Sequence, residues 1–382
     1  MRELHALVEA ARQLRSSREP FLVSTVVALH GSAYRGLGAR MLSKAERWVA
    51  GSVSGGCLER DVLRKGFWQT RESRAALVHH DESSDERSGT GCQGRIDLLI
   101  ERGPSLHEPG SELHLACEPL ALAERCLRDE AAVRVATVFR STRSAVRLGD
   151  RLAVVAGEQL ASFADAELAL ELGLALGAAN AQAGSADSAR PFTSADGSIE
   201  ALLEVIAPPP HLFVFGAAHD SVALVSLAQT LGFSATVCAE QSLDGAARER
   251  FRGPERLHAG ALTEAVALLN RAARPVAMVM AHHYERDRAA LAALASSRAL
   301  YIGVLGPAER SQRMLTDLLA CGALSASAIQ SLQATRLHAP AGLDLGSRTP
   351  PEVALSILAE VQSVLRGTGA QCLRKKTQPI HG

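Results

Sequence analysis

Apolar residues return at helical spacing from the start of the chain. Leu4, Leu7, Val8, Ala11 and Leu14 share one face, which predicts a helix over residues 1–19 that Pro20 ends. The β-branched run Val23-Ser24-Thr25-Val26-Val27 then predicts a buried strand over 21–29. A glycine-punctuated loop from His30 to Gly38 follows, then short strands at 39–42 and 48–50. Leu58, Val62, Leu63 and Phe67 restore the helical period over 58–70, and strands are expected at 75–79 and 96–100.

A second round begins after the proline- and glycine-marked stretch 103–110. It reads as a helix over 113–129, strands over 132–140 and 151–157, and a helix over 163–178. Val135-Ala136-Thr137-Val138 echoes Val23-Ser24-Thr25-Val26, and Gly149-Asp150-Arg151-Leu152-Ala153 echoes Gly38-Ala39-Arg40-Met41-Leu42. The two spacings differ by one residue. This is a weak internal duplication whose second copy lacks the thiol chemistry of the first. Residues 179–198, rich in Ala, Ser, Gly and Asp, read as a linker, and Pro208-Pro209-Pro210 as a hinge.

From His211 the pattern becomes strand–helix alternation. Strands at 212–215, 235–239, 276–280 and 300–304 with helices between them argue for a parallel sheet. The expected fold is therefore α/β: an N-terminal mixed α/β domain followed by a Rossmann-like doubly wound sheet. The partition is 1–105 for the first domain, 106–198 for a degenerate middle segment and linker, 199–370 for the C-terminal domain and 371–382 for a tail.

The first C-terminal strand runs into Gly216-Ala217-Ala218-His219-Asp220-Ser221, where a dinucleotide fingerprint belongs, and Glu240 ends the second strand as its acidic partner. Gly216 supplies the first glycine, but Ala218 and Ser221 stand at the second and third. The Ala218 methyl should obstruct a pyrophosphate, so NAD(P) binding is expected to be weak or absent. Gly306 and Asp344 should lie with Gly216, Ala218, His219 and Glu240 near the strand ends.

Lys plus Arg equals Asp plus Glu at 41 each, which leaves no global basic field for nucleic acid or a membrane surface. No run approaches a membrane span and the start carries no apolar signal core, so a cytoplasmic location is expected. Seven cysteines with no Cys-x-x-Cys pair argue for reduced thiols rather than a disulfide framework or structural zinc.

Two of those thiols sit among glycines. Gly51-Ser52-Val53-Ser54-Gly55-Gly56-Cys57 precedes the helix from Leu58, and Gly89-Thr90-Gly91-Cys92-Gln93-Gly94 repeats the recipe. Backbone N–H groups with few side chains around them can cradle an anion, and a helix N-terminus adds to that field. A cysteine there should have a depressed pKa. Cys57 and Cys92 are expected near each other, with Gly55, Gly56, Gly91 and Gly94 as the cradle and Arg40 on the rim. Arg35 and Arg40 are candidate anion ligands. Tight turns with small buried cysteines would have the same sequence.

These stretches resemble the XdhC/CoxI family, accessory factors of xanthine dehydrogenase and related molybdenum hydroxylases. Gly31-Ser32, Gly38-Ala39-Arg40-Met41 and the 51–59 run match at the N-terminus; Tyr301-Ile302-Gly303-Val304-Leu305-Gly306 and the long run from His338 to Ala354 match at the C-terminus. The resemblance covers roughly 20–105 and 208–365. Departures are Gln93, Ala218, Pro307 and the Cys238-Ala239-Glu240 strand end. The resemblance implies a chaperone rather than an enzyme, one that holds molybdenum cofactor while a cysteine desulfurase adds sulfur and then delivers it to an apo-hydroxylase. Cys92 and Cys57 would be transient molybdenum ligands, and a homodimer is expected. An NAD(P)-dependent oxidoreductase and a persulfide-carrying sulfurtransferase are the alternatives. Cys117, Cys126, Cys238, Cys321 and Cys372 should be inert.

Overall fold

The computed structural model describes residues 2–31, 33–81, 95–103, 115–182, 188–239, 249–251 and 256–375. Two compact units divide the chain, one built on Glu3–Ala207 and the other on Pro208–Ala370.

The first unit is a duplicated structure. Its first copy runs α1 (Arg2–Ser17), β1 (Leu22–His30), β2 (Arg40–Lys44), β3 (Arg47–Gly51), α2 (Cys57–Gln69), β4 (Ala75–Asp81) and β5 (Arg95–Arg102). Its second runs α3 (Pro119–Asp129), β6 (Val133–Ser141), β7 (Arg151–Val155), β8 (Glu158–Ala161), α4 (Ala166–Gln182), β9 (Ala189–Thr193) and β10 (Ile199–Ile206). The sheets have the same strand order, β3-β2-β1-β5-β4 and β8-β7-β6-β10-β9, and all their pairings are antiparallel.

The middle of the chain is thus a complete second copy. The stretch 179–198, expected as a linker, contributes the end of α4 and edge strand β9. Ile199–Ile206, expected to open the C-terminal domain, pairs with β6 and β9 instead, so the boundary falls at Pro208. Short polar edge strands carry little periodicity, which is why composition alone read β9 as linker.

Alternation along β1 explains the layers. Leu22 and Val26 pack under α2 with Leu58 and Val62, while Val23 faces α1 with Leu7, Ala11 and Leu14. A bulge at Val27, matched by one at Phe139 on β6, turns both side chains into a small core between the sheets with Leu99 and Leu202.

The second unit is a six-stranded parallel sheet, β13 (Arg256–Ala259), β12 (Ser234–Ala239), β11 (His211–Phe215), β14 (Pro275–Val279), β15 (Tyr301–Val304) and β16 (Leu337–His338), in that spatial order. The helices are α5 (His219–Thr230), α6 (Leu262–Arg271), α7 (Tyr284–Ala295), α8 (Ala308–Ala320), α9 (Ala326–Thr335) and α10 (Pro350–Arg366). α5 and α10 cover one face with Leu224, Ile357 and Val361; α7 and α8 cover the other with Leu291 and Met314. The order reverses between β11 and β14, the place where doubly wound sheets open a crevice. Among the described residues no helix is long and apolar enough to cross a membrane.

Candidate functional site

Strand directions turn the N-terminal candidates the same way along the first sheet but at two levels, Arg40 and Gly51 beside Thr25 and Ser24, and Asp81 and Arg95 beside His30. β2 begins at Arg40 and β3 ends at Gly51, whereas β1 runs on to His30 and β4 and β5 meet at Asp81 and Arg95. Cys57 opens α2 immediately after the β3 turn. Cys92, Gly91 and Gly94 lie outside the described residues. Gly51 lies level with Met41, Ser24 and Ile100, so the start of β5 at Arg95 is three strands across and five residues further along, about 22 Å away.

The glycine turn is organised by Glu59. Its carboxylate accepts the N–H groups of Val53 (3.0 Å), Ser54 (2.7 Å) and Gly56 (3.0 Å) and the Ser54 hydroxyl. Burial pushes the Glu59 pKa up, but the bonds from the Ser54 hydroxyl and the backbone outweigh it and leave the acid below its usual range. The amides on which a depressed Cys57 pKa was expected are therefore committed to an internal carboxylate. Open space remains beside Gly55 and Gly56, where a Cβ would meet nothing within 4 Å. Gly56 needs its glycine for another reason, a φ of 121°.

Arg40 does not stand on a rim. It is buried, and its guanidinium donates to both oxygens of Glu204 on β10, at 2.7 and 2.6 Å, and to the Gly38 carbonyl at 3.0 Å. Gly38 is obligatory here, because a Cβ would fall 2.6 Å from Glu204 Oε1 at a φ of 78°. The second copy repeats the arrangement: Arg151 donates to Glu101 and, at 2.8 Å, to the Gly149 carbonyl. The shared Gly-x-Arg spacing thus serves the joint between the two sheets. Arg35 is engaged as well, by Glu3 at 2.6 and 2.7 Å.

Basic side chains that sequence reading did not group gather where β1 ends and β5 begins. Asp97, fully buried on β5, holds His79 Nδ1 at 2.8 Å, with Arg95 at 3.5 Å, Arg140 at 3.8 Å and His30 at 4.0 Å. These four basic side chains are each about half exposed around one carboxylate. Sequence separation hid the group, since Arg140 comes from the second copy.

In the C-terminal unit, Gly216, Gly306 and Asp344 all follow carboxyl ends of strands, β11, β15 and β16. Gly216 (φ 134°) lets the backbone pass the Met280 carbonyl, which a Cβ would approach to 2.5 Å. Ala218 caps α5 without a side-chain bond and His219 begins it. Glu240 lies outside the described residues. A His–Asp pair that the sequence did not disclose spans the switch point: His282 Nε2 lies 2.8 Å from Asp220 Oδ2. His282 takes a φ of 56°, a left-handed conformation that L residues seldom adopt.

The long run from His338 has a structural account. Glu360 on α10 receives Tyr301 Oη (2.6 Å), the Gly342 N–H (2.8 Å) and His338 Nδ1 (3.1 Å). Gly342 (φ 109°) passes Ser356 Oγ, which a Cβ would approach to 2.5 Å. Asp344 and Leu345 are left exposed on the loop. Among the other thiols, Cys117, Cys126 and Cys238 are buried and Cys321 and Cys372 exposed. Burial pushes the Cys238 thiol up to about 12.

Fold and site together define a two-unit protein: a duplicated sheet structure with a glycine–thiol turn, joined to a Rossmann-type sheet. The model of the XdhC and CoxI family matches residues 14–81, and that of the XdhC Rossmann domain matches 212–361. The chain belongs to the XdhC and CoxI family. A probable xanthine dehydrogenase subunit of Bacillus subtilis (strain 168) is 26% identical, over 94% of this chain and 97% of its own length. Uncharacterized protein YqeB of Escherichia coli (strain K12) is 29% identical over 48% of this chain and 32% of its own length. The crystal structure of a xanthine dehydrogenase from Bacillus halodurans has the same fold, with a TM-score of 0.69 at 23% identity over 97% of this chain and 98% of that one.

Proposed function

We propose that this protein is an accessory factor of a xanthine dehydrogenase-type molybdenum hydroxylase. It holds molybdenum cofactor while a cysteine desulfurase supplies sulfur, then releases it to the apo-enzyme; it acts in the cytoplasm as a homodimer. The observation that carries this reading is the glycine turn that runs into Cys57 at the start of α2, in a chain matched by both family models.

Bound there, the cofactor would supply a molybdenum centre that takes sulfur. Cys57 and Cys92 fit as reversible thiolate ligands. The open faces of Gly55 and Gly56 admit a ligand, with Gly91 and Gly94 flanking the second thiol. Arg40 does not fit as a phosphate ligand, because Glu204 occupies it. Arg95 and Arg140, exposed beside Asp97, fit that part instead.

The test is co-expression with cofactor biosynthesis, followed by molybdenum mass spectrometry and oxidised-pterin fluorescence of the purified protein. The parent should carry cofactor, and Cys92→Ala or Cys57→Ala should lose most of it with folding intact. Retention by both variants would sink thiolate ligation, and a parent without cofactor would sink the whole reading. The His282–Asp220 pair supports a second reading, an NAD(P)-dependent oxidoreductase. Quenching of protein fluorescence on titration with NADPH would favour it.

A further inference from the structure

Helix α4 of the second copy is apolar on nearly every side, and one of those sides is open to solvent. Between Ala166 and Ala178 its only charged residues are Glu167 and Glu171, and the Glu171 carboxylate accepts the Ala195 N–H at 2.7 Å. Leu168, Leu172 and Leu176 fill the core beneath it. The opposite side carries Leu170 and Leu174, 66% and 68% exposed, with Ala166 and Gly177 exposed beside them. A helix that is hydrophobic all round belongs in an interior.

The duplication supplies a contrast. α2 buries Leu58, Val62 and Gly66 where α4 buries Leu168, Leu172 and Leu176. On the outward side the first copy then exposes Arg60 and Arg64 where the second exposes Leu170 and Leu174. The shared fold therefore does not require the two leucines. With no charge on this ridge, a strongly acidic or basic partner gains nothing there.

The same face holds both knobs and holes. A Cβ at Gly177 would meet nothing within 4 Å, and one at Gly173 would meet only Gln159 Oε1 and Leu152 Cδ2, both at 3.9 Å. Ala166, Leu170, Gly173 and Gly177 are spaced four, three and four residues apart, the repeat of a helix–helix seam. When a second α4 lies antiparallel across a two-fold axis between Gly173 and Leu174, each leucine falls opposite a glycine. Leu170 then faces Gly177 of the second copy, and Leu174 faces Gly173 of the second copy. Large against small within one patch is what a two-fold interface needs, because the patch must complement itself.

We infer that the exposed side of α4 is a homodimer face, occupied by α4 of a second copy in that antiparallel register. The 17 residues of α4 form a helix about 25 Å long and about 10 Å wide, so the helix pair alone covers well under the roughly 800 Å² per partner of a stable complex. The dimer should therefore exchange with monomer. The inference rests on the homodimer of the reading above and is independent of its cofactor chemistry.

Sedimentation velocity of the full-length protein across the micromolar range tests it. The parent should pass from monomer to dimer as concentration rises. Leu170→Glu and Leu174→Glu, at side chains outside the core, should raise the dissociation constant roughly tenfold or more. Gly177→Leu should raise it as much by filling the hole. Its melting temperature, measured where both proteins are monomeric, should equal or exceed the parent's, since leucine favours a helix over glycine and meets open space there. Arg64→Glu, at the corresponding place on α2, should dimerise as the parent does. A parent that stays monomeric would overturn both this face and the homodimer while leaving the accessory role standing. Unchanged dimer affinity in both leucine variants would overturn the face and keep the homodimer. Loss of dimer in the leucine variants but not in Gly177→Leu would overturn the antiparallel register.

Discussion

Arg40 closes on Glu204 with two hydrogen bonds, 2.7 and 2.6 Å long, and in doing so ties the first sheet to the second. Burial would weaken the guanidinium's hold on its proton; the Glu204 charge and hydrogen bonds reverse this and raise its pKa. Removing either partner leaves an uncompensated buried charge. Arg40→Ala and Glu204→Ala should each cost about 3–5 kcal/mol in denaturant unfolding, and the pair in a double-mutant cycle should couple strongly. Additive losses would show that the charges do not act as a pair.

Glu59 sets an acid limit on the glycine turn. Its native pKa lies below that of the unfolded chain, so its contribution is complete above the unfolded value, roughly 4.3, and is lost as pH falls through the native one. Hydrogen exchange at Val53, Ser54 and Gly56 should lose protection in that acid window. Glu59→Gln should remove the dependence, and unchanged protection in both proteins would disprove the assignment.

Two glycines should respond oppositely to alanine. Gly216→Ala drives a Cβ to 2.5 Å from the Met280 carbonyl at a φ of 134°, which should cost about 3 kcal/mol or more. Gly55→Ala meets nothing within 4 Å and should stay within about 0.5 kcal/mol of the parent. Thermal melts of the two variants decide it, and similar shifts would contradict the geometry.

Dinucleotide binding should be weak. Ala218 is the N-cap of α5 at the fingerprint's second glycine position, where a methyl should crowd a pyrophosphate, and Asp220 adds a negative charge in the first turn. NAD and NADP should give little heat in calorimetry, and Ala218→Gly should bind better. Tight binding by the parent would mean that the turn accommodates the methyl.

Local pattern carried much of the fold into the sequence. The alternation after His211 disclosed the parallel sheet, and the Gly38–Arg40 and Gly149–Arg151 echo disclosed the duplication. Pairing at long range was not legible. The sequence marks Arg40 as a cation in a loop but cannot show Glu204, and nothing local joins Asp220 to His282. For the same reason the run from His338 stands out in the sequence only as a family match, although Glu360 and Ser356 account for His338 and Gly342 by hydrogen bonding and packing.

The two Arg–Glu clasps have a consequence for how such a molecule can change over generations. In a symmetric pair of identical chains every substitution is made twice, so a residue that suits one seat is imposed on the other. Here each half is encoded separately while the joint between them remains reciprocal, Arg40 with Glu204 and Arg151 with Glu101. One half could acquire a thiol at the head of its helix while the other acquired Leu170 and Leu174 on the exposed side of its own, with neither change disturbing the joint.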